Sequence, residues 1–493
     1  MTKPKIGLLP LYIELYDRAL PEVRPRIDAF SSTIAFQLEK RGMDVVTAPV
    51  CRLEPEFAAA VSSFEQAACD AIVTLHLAYS PSLESARVLA QTKLPLIVLD
   101  TTPTYSYGPA QDPTELMFNH GIHGVQDMCN VLIRNSKRFQ IEAGHWEKSD
   151  VLDRVAGWAR GAAVAAAMRR ARVGIIGSPF KGMGDFAVPT DDLRSTIGVE
   201  TIACDPAVIR ALVPEPDAPE VREEIDSDPN SFLSNGLDME KRRETARACL
   251  AVRRWLAQEN LSAFTMNFLE TDKSSGLPTV PFLEASKAMS RGVGYAGEGD
   301  VLTAALVGAL LSAFPDTTFT EMFCPDWAGN SIFLNHMGEM NVNLAVGKPL
   351  LRVMDFPWTD ADDPVFAVGR FRGGEAVLVN LAPGPDNLSR GNGLARPTDR
   401  ASSKSVPAGG RVSYTLVVAP VEMLYIKGKD NMGTLIHGWF RPEIPIAQFL
   451  EEYSRAGGTH HLALVYGDIA DDIMRFGEIM GWRTSYLGKS GVL

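Results

Sequence analysis

The stretch Asp70-Ala71-Ile72-Val73-Thr74-Leu75-His76-Leu77 reads as a β-strand with almost no polar face. A sheet with one wet face would show strict alternation. A near-continuous apolar run instead marks a strand covered on both sides, as in parallel sheets. Working outward, KIGLLP (5–10), DVVTAPV (44–50) and LPLIVLDTT (94–102) have the same texture, and helical patterns near 22–42 and 54–67 separate them. Alternating strands and helices predict a doubly wound α/β domain, whose ligands gather beyond the carboxyl ends of the strands. Those ends carry His76-Leu77-Ala78-Tyr79 and Asp100-Thr101-Thr102.

The pattern restarts at Arg172-Val173-Gly174-Ile175-Ile176-Gly177, continues with GVETIAC (198–204) and returns as SAFTMNF (262–268) after a helix near 238–258. An acidic, proline-containing passage at 213–230 reads as an exposed insertion. After about residue 328 the texture changes. VFAVGRF, GEAVLVNLAP and RVSYTLVVAPVEML are strand-like with Gly/Pro turns between them, and a helical tail covers 468–481. The expected fold is α/β: two doubly wound parallel-sheet domains (1–171 and 172–327) followed by a mostly β, barrel-like C-terminal domain (328–493). GIIGSPFKGMG (174–184) has neither the G-x-x-x-x-G-K-[ST] nor the G-x-G-x-x-G spacing, so it reads as a strand-to-helix turn rather than a phosphate cradle.

Composition narrows the partners. The 48 basic and 60 acidic side chains give a net charge of −12, and no basic run occurs, which argues against a nucleic-acid partner. The six cysteines lie far apart with no C-x-x-C, as expected of a reducing, cytoplasmic setting. The most apolar helix-like stretch, 161–168, is bracketed by Arg160 and by Arg169-Arg170, and so reads as a buried helix rather than a membrane span.

Two glutamates and three histidines suggest a site. Gly294-Tyr295-Ala296-Gly297-Glu298-Gly299-Asp300 precedes the evident helix VLTAALVGALLSAF, with Asp300 placed as its N-cap. Glu298, between two glycines, is a carboxylate offered at a helix start, although an isolated loop glutamate is more often merely solvated. Glu321 interrupts the apolar run Thr318-Phe319-Thr320-Glu321-Met322-Phe323, where a carboxylate is costly unless paired or metal-bound. His336 stands in Asn335-His336-Met337-Gly338-Glu339-Met340, and RAGGTHH (455–461) sets His460 beside His461. The intervals 321 − 298 = 23 and 336 − 321 = 15 exceed a helical turn, so only tertiary folding could assemble these residues. Carboxylates with imidazoles make a mixed O/N set suited to Mn²⁺ or a similar divalent ion. The same carboxylates could move a proton beside a sugar carbonyl. THHLALV (459–465) reads as a strand, on which neighbouring side chains point to opposite faces. That predicts that only one of the two histidines aims at an ion. Among the other histidines, His76 suits packing or a hydrogen bond behind the site as well as it suits a sugar contact, His120 and His437 suit a cleft lining, and His145 suits a structural role.

These motifs resemble the L-arabinose isomerase / L-fucose isomerase superfamily, with the arabinose isomerase branch closest. SAFTMNF resembles its AFTTNF strand, GYAGEGDVLTAALV its GFAGEGDWKTAAL signature, TTFTEMF its TSFMEDY, NHMGEMN its SHMLEV and RAGGTHH its AGGAHH, all in the family's order. VTLHLAYSPS resembles LHTFSP, and NHGIHGVQD resembles NQSAHGDRE. The resemblance implies metal ligands at Glu298, Glu321, His336 and His461, with the two glutamates also forming the acid/base pair. It further implies a sugar contact by His123 reaching in from a neighbouring subunit, aromatic walls near Tyr79 and Phe264, and a sugar-side or supporting role for His460. The implied cofactor is a divalent metal, Mn²⁺ first with Mg²⁺ or Co²⁺ as alternatives. The implied assembly is a homo-oligomer, trimer or hexamer, with shared active sites. One departure stands out. Where the family's first strand continues into GSQHLYG, whose Gln helps hold the sugar, this chain has Gly7-Leu8-Leu9-Pro10-Leu11-Tyr12. The expected activity is metal-dependent aldose–ketose isomerisation of a pentose, hexose or deoxysugar through an enediol. Epimerisation or elimination on a modified sugar, and a non-catalytic sugar sensor, are the alternatives.

Overall fold

DAIVTLHL forms the centre of a five-stranded, all-parallel sheet. A computed structural model describes residues 3–384 and 414–489, and the structural statements below concern those residues. The strands are β1 (Lys5–Leu11), β2 (Asp44–Thr47), β3 (Ala71–His76), β4 (Leu96–Asp100) and β5 (Gln140–Ala143), in the order β2-β1-β3-β4-β5. β1 and β3 are buried along nearly their whole length, which is why they read as continuous apolar runs. β5 lies at the sheet edge and is half exposed; it therefore lacks such a run, and the sequence gives no sign of it. Phe57, Phe64, Ile72, Leu96, Val98 and Leu132 pack the core. Gly7 is required there, because a Cβ would come within 2.4 Å of the Phe64 ring. This sheet and its helices form one compact unit, Thr2–Ala166.

The second unit, Ala167–Leu493, contains two sheets. Four parallel strands, β6 (Arg172–Ile176), β7 (Glu200–Ala203), β9 (Ala263–Met266) and β10 (Gly294–Gly297), are ordered β10-β9-β6-β7; β8 (Leu233–Ser234) lies outside this sheet. Leu306 and Leu310 of helix Val301–Ala313 are fully buried, as expected of a helix apolar on every face.

The other sheet closes on itself. β11 (Thr317–Asp326), β12 (Ser331–His336), β15 (Gly374–Pro383), β16 (Tyr414–Met423), β17 (Ile436–Pro442) and β18 (His461–Tyr466) pair antiparallel in the ring β16-β15-β18-β11-β12-β17, and β17 returns to β16. β13 (Leu350–Val353), β14 (Val365–Arg370) and β8 extend the sheet from β17, and β19 (Arg483–Tyr486) runs beside β16. Leu334, Leu378, Val417, Phe440, Leu462 and Leu464 fill this region, with Phe449 among them. The architecture is thus two parallel α/β sheets and a closed antiparallel barrel.

Two local expectations need correction. The acidic passage at 213–230 is not simply an exposed insertion. It contains the helix Pro219–Ser227, and Asp228 is buried. Its carboxylates face basic residues of later helices: Glu224 accepts from Arg253 at 2.7 and 2.8 Å and from Lys287 at 2.7 Å. The expected strand at 459–465 starts later, at His461, so His460 lies in the bend before it.

Candidate metal and acid–base site

The carboxyl end of β10 supplies the first carboxylate. Glu298 adopts φ = +63°, a left-handed conformation that costs a non-glycine residue on the order of 1–2 kcal/mol. The flanking glycines allow the close approaches around it. A Cβ at Gly297 would meet His336 Cε1 at 2.7 Å, and one at Gly299 would meet Pro179 Cα at 2.6 Å. Asp300 caps the next helix through the Thr303 N–H at 2.9 Å, as the sequence predicts.

The barrel supplies the rest. β11 pairs with β18 so that Glu321 lies opposite His461, and β12 ends at His336 beside β11. Because His460 precedes the strand, strand alternation does not separate it from His461, and their ring centroids are only 4.3 Å apart. The expectation that one histidine must turn away therefore fails, for want of regular strand geometry at His460.

Each imidazole is held at Nδ1 by a carboxylate. His461 Nδ1 lies 3.0 Å from Asp300, His336 Nδ1 2.7 Å from Glu339 and His460 Nδ1 2.6 Å from Asp185. Glu339 also accepts from Tyr295 Oη at 2.6 Å and the Gly338 N–H at 2.8 Å. This arrangement leaves Nε2 to face the site. His461 Nε2 is buried without a hydrogen-bond partner, 3.4 Å from Glu298 Oε2. His460 Nε2 is 3.8 Å from Glu298 and 4.0 Å from Glu321.

Donor atoms of Glu298, His460 and His461 lie within 4.8 Å of one another, as do those of Glu321, His336 and His461. An orphaned buried nitrogen beside two carboxylates is a donor set that a divalent cation fits, and carboxylate-backed imidazoles are the usual support for one. Glu298, Glu321, His336 and His461 could hold such an ion, with His460 at its margin.

The electrostatics of the pair are unequal. Burial would raise the Glu298 carboxyl, but the neighbouring imidazoles of His460 and His461 outweigh it and bring the group down to about 2. At Glu321 burial prevails over the attraction of His336, His461 and His460, and its carboxyl rises. Burial works against charging His461, yet Asp300 and Glu298 raise it to about 9.

The cluster contains five of the sequence-predicted residues: Glu298, Glu321, His336, His460 and His461. Phe264 is fully buried in β9, 5.0 Å from the Tyr295 ring, and so lies behind the site. Tyr79 and His123 belong to the N-terminal unit, where their rings are 6.4 Å apart and Tyr79 is 3.4 Å from Asp127. His76 is buried there with both ring nitrogens unpartnered, and burial lowers it to about 3. Sequence reasoning missed Asp185, Phe186 and Glu339, and saw Asp300 only as a cap. Phe186 stacks on His461 at 5.0 Å and 11°. Glu339 had a visible signal, three residues after His336 in an apolar stretch. Asp185 had none.

In sequence, this chain is similar to known sugar isomerases. Residues 224–313 match the family model of the L-arabinose isomerase central domain. L-arabinose isomerase of Anoxybacillus flavithermus is 25% identical over 93% of this chain and 89% of its own length. The enzyme of the same name from Herpetosiphon aurantiacus is 25% identical over 94% of this chain and 90% of its own, and that from a Nocardioides species is 27% identical over 84% and 79%. Over most of its length the chain is thus similar to L-arabinose isomerases, as a divergent relative at about 25% identity.

Proposed function

We propose that this protein is a divalent-metal-dependent aldose–ketose isomerase acting on a pentose, hexose or deoxysugar. The reading rests on one observation above all: two carboxylates and three carboxylate-backed imidazoles converge on one pocket. Glu298, Glu321, His336 and His461 would hold the ion, Mn²⁺ in the first instance. When bound, it supplies Lewis-acid stabilisation of negative charge developing on the sugar oxygens.

The remaining chemistry falls to the side chains. The open-chain sugar is bound with C1–C2 between Glu298 and Glu321. One carboxylate takes the C2 proton, the C–H electron pair forms the C1=C2 bond, and O1 takes a proton from the other carboxyl group. The resulting enediol gives its O2 proton back to that second carboxylate as C2=O2 forms, and the first, now a carboxylic acid, returns its proton to C1. A ketose leaves with no net redox change. His460 contacts the sugar hydroxyls, and His123 of a neighbouring subunit completes the pocket in a homo-oligomer. The net charge of −12 suits a cytoplasmic enzyme without nucleic-acid partners, and among the described residues no helix is long and apolar enough to cross a membrane.

The substrate is proposed to differ from that of the named relatives, because Leu8, Leu9 and Leu11 of β1 are fully buried and offer no polar side chain to a sugar. Aldoses and ketoses assayed with Mn²⁺ in D₂O provide the test. The expected result is interconversion of one aldose–ketose pair with solvent deuterium appearing at C1 or C2. Inversion or loss of water would point to an epimerase or lyase, and tight binding without exchange to a sensor.

A further inference from the structure

His460 differs from the other two imidazoles of the cluster. His336 and His461 are backed by carboxylates that are themselves buried, Glu339 at 1% exposure and Asp300 at 0%. His460 and Asp185 instead keep 29% and 36% of their side-chain surface, so this pair is the accessible one. We infer that Asp185 is a positioning residue that holds His460 with Nε2 presented to the substrate between Glu298 and Glu321. The inference rests on the isomerase reading and deepens it.

Three observations carry it. First, Asp185 Oδ2 lies 2.6 Å from His460 Nδ1 and accepts the His460 backbone N–H at 3.2 Å. Main chain and ring are tied to one oxygen, which restricts ring rotation. Second, Asp185 is itself fixed relative to the acid–base pair. Its loop follows β6 and is pinned where Phe180 N–H donates to the Glu298 carbonyl at 2.9 Å and Asn267 Nδ2 donates to the Ser178 carbonyl at 3.0 Å. The next residue, Phe186, lies flat on the His461 ring. Third, His460 Nε2 stands 3.8 and 4.0 Å from the two glutamates, beyond hydrogen-bond length. A sugar oxygen could bond to the imidazole there without displacing either carboxylate. With Nδ1 committed to Asp185, Nε2 is the ring nitrogen left to hydrogen-bond a sugar oxygen.

A double-mutant cycle is the test. Asp185→Ala and His460→Ala should each lower kcat/KM by roughly 10–100-fold. Asp185→Ala added to His460→Ala should cost little more, because both remove the same contact. Asp185→Asn keeps an acceptor oxygen in place and should recover most of the loss. Mn²⁺ affinity, measured by calorimetry, should match wild type in all of these variants. Crystals of Mn²⁺-loaded Asp185→Ala should show the His460 ring turned from its wild-type orientation. Multiplying losses in the double variant, Asp185→Asn as poor as Asp185→Ala, weakened Mn²⁺ binding, or an unmoved ring would each overturn the inference. A fully active Glu298→Gln enzyme would instead overturn the isomerase reading beneath it, whatever the cycle gave.

Discussion

At the scale of single residues, the site depends on glutamates in positions that glutamate ordinarily avoids. Glu298 has a positive φ, and Glu321 is a partly buried carboxylate on a barrel strand. Such placements persist when the surroundings over-determine them, and they cluster at functional sites. If Glu298 both binds the metal and moves the proton, Glu298→Gln should lower turnover about 10²–10⁴-fold while leaving the thermal midpoint near wild type. Circular-dichroism melting alongside the assay separates this from unfolding. His461→Ala should abolish tight Mn²⁺ binding, since its Nε2 is the orphaned buried nitrogen. His460→Ala should retain the ion and lose sugar affinity or rate. Calorimetric titration with Mn²⁺ distinguishes them, and the opposite pattern would exchange the two roles.

At the scale of elements, the β10-to-helix turn and the helix Pro219–Ser227 make separate predictions. Gly299 has φ = +81° and faces Pro179 Cα at 2.6 Å from any Cβ placed there. Gly299→Ala should therefore destabilise by more than about 1 kcal/mol and reduce activity by displacing Glu298, as read from urea midpoints and kcat. Glu224, buried between Arg253 and Lys287, responds to acid. Burial would raise its carboxyl, but the hydrogen bonds and charges of those residues hold it at about 2, below its ordinary 4.5. A depressed carboxylate contributes its stability in full above the unfolded value and loses it as pH falls through the folded one. The contribution, on the order of 3 kcal/mol, should therefore fade between about pH 5 and pH 2. Glu224→Gln should flatten that part of the stability-against-pH curve in urea unfolding. An unchanged acid limb would mean that other carboxylates set it.

At the scale of the whole molecule, the candidate site residues divide between two compact units. Glu298, Glu321, His336, His460 and His461 are in Ala167–Leu493, and His123 is in Thr2–Ala166. A proposed homo-oligomer in which one subunit's His123 serves a neighbour's metal cluster has a direct test. His123→Ala and Glu298→Gln proteins should each be nearly inactive alone and regain measurable activity when mixed under conditions of proven subunit exchange. No recovery would assign His123 to its own subunit's pocket or to no pocket.

The sequence alone determined the classes of structure and the chemistry available. Covered parallel strands read as apolar runs, and Asp300 read as a cap, because burial and capping act on neighbouring residues and leave local patterns. β5 was illegible because an edge strand needs no apolar run, and the start of β18 was misjudged because glycines before it permit a bend that composition does not register. Only the tertiary structure decided which groups meet. Glu321 faces His461 through the β11–β18 register, across 140 residues of chain (461 − 321). Asp185 reaches His460 from a loop with no motif, 275 residues away. A carboxylate's partner is set by sheet register and loop packing, and those are properties of the closed barrel and its neighbouring sheet rather than of any segment read by itself.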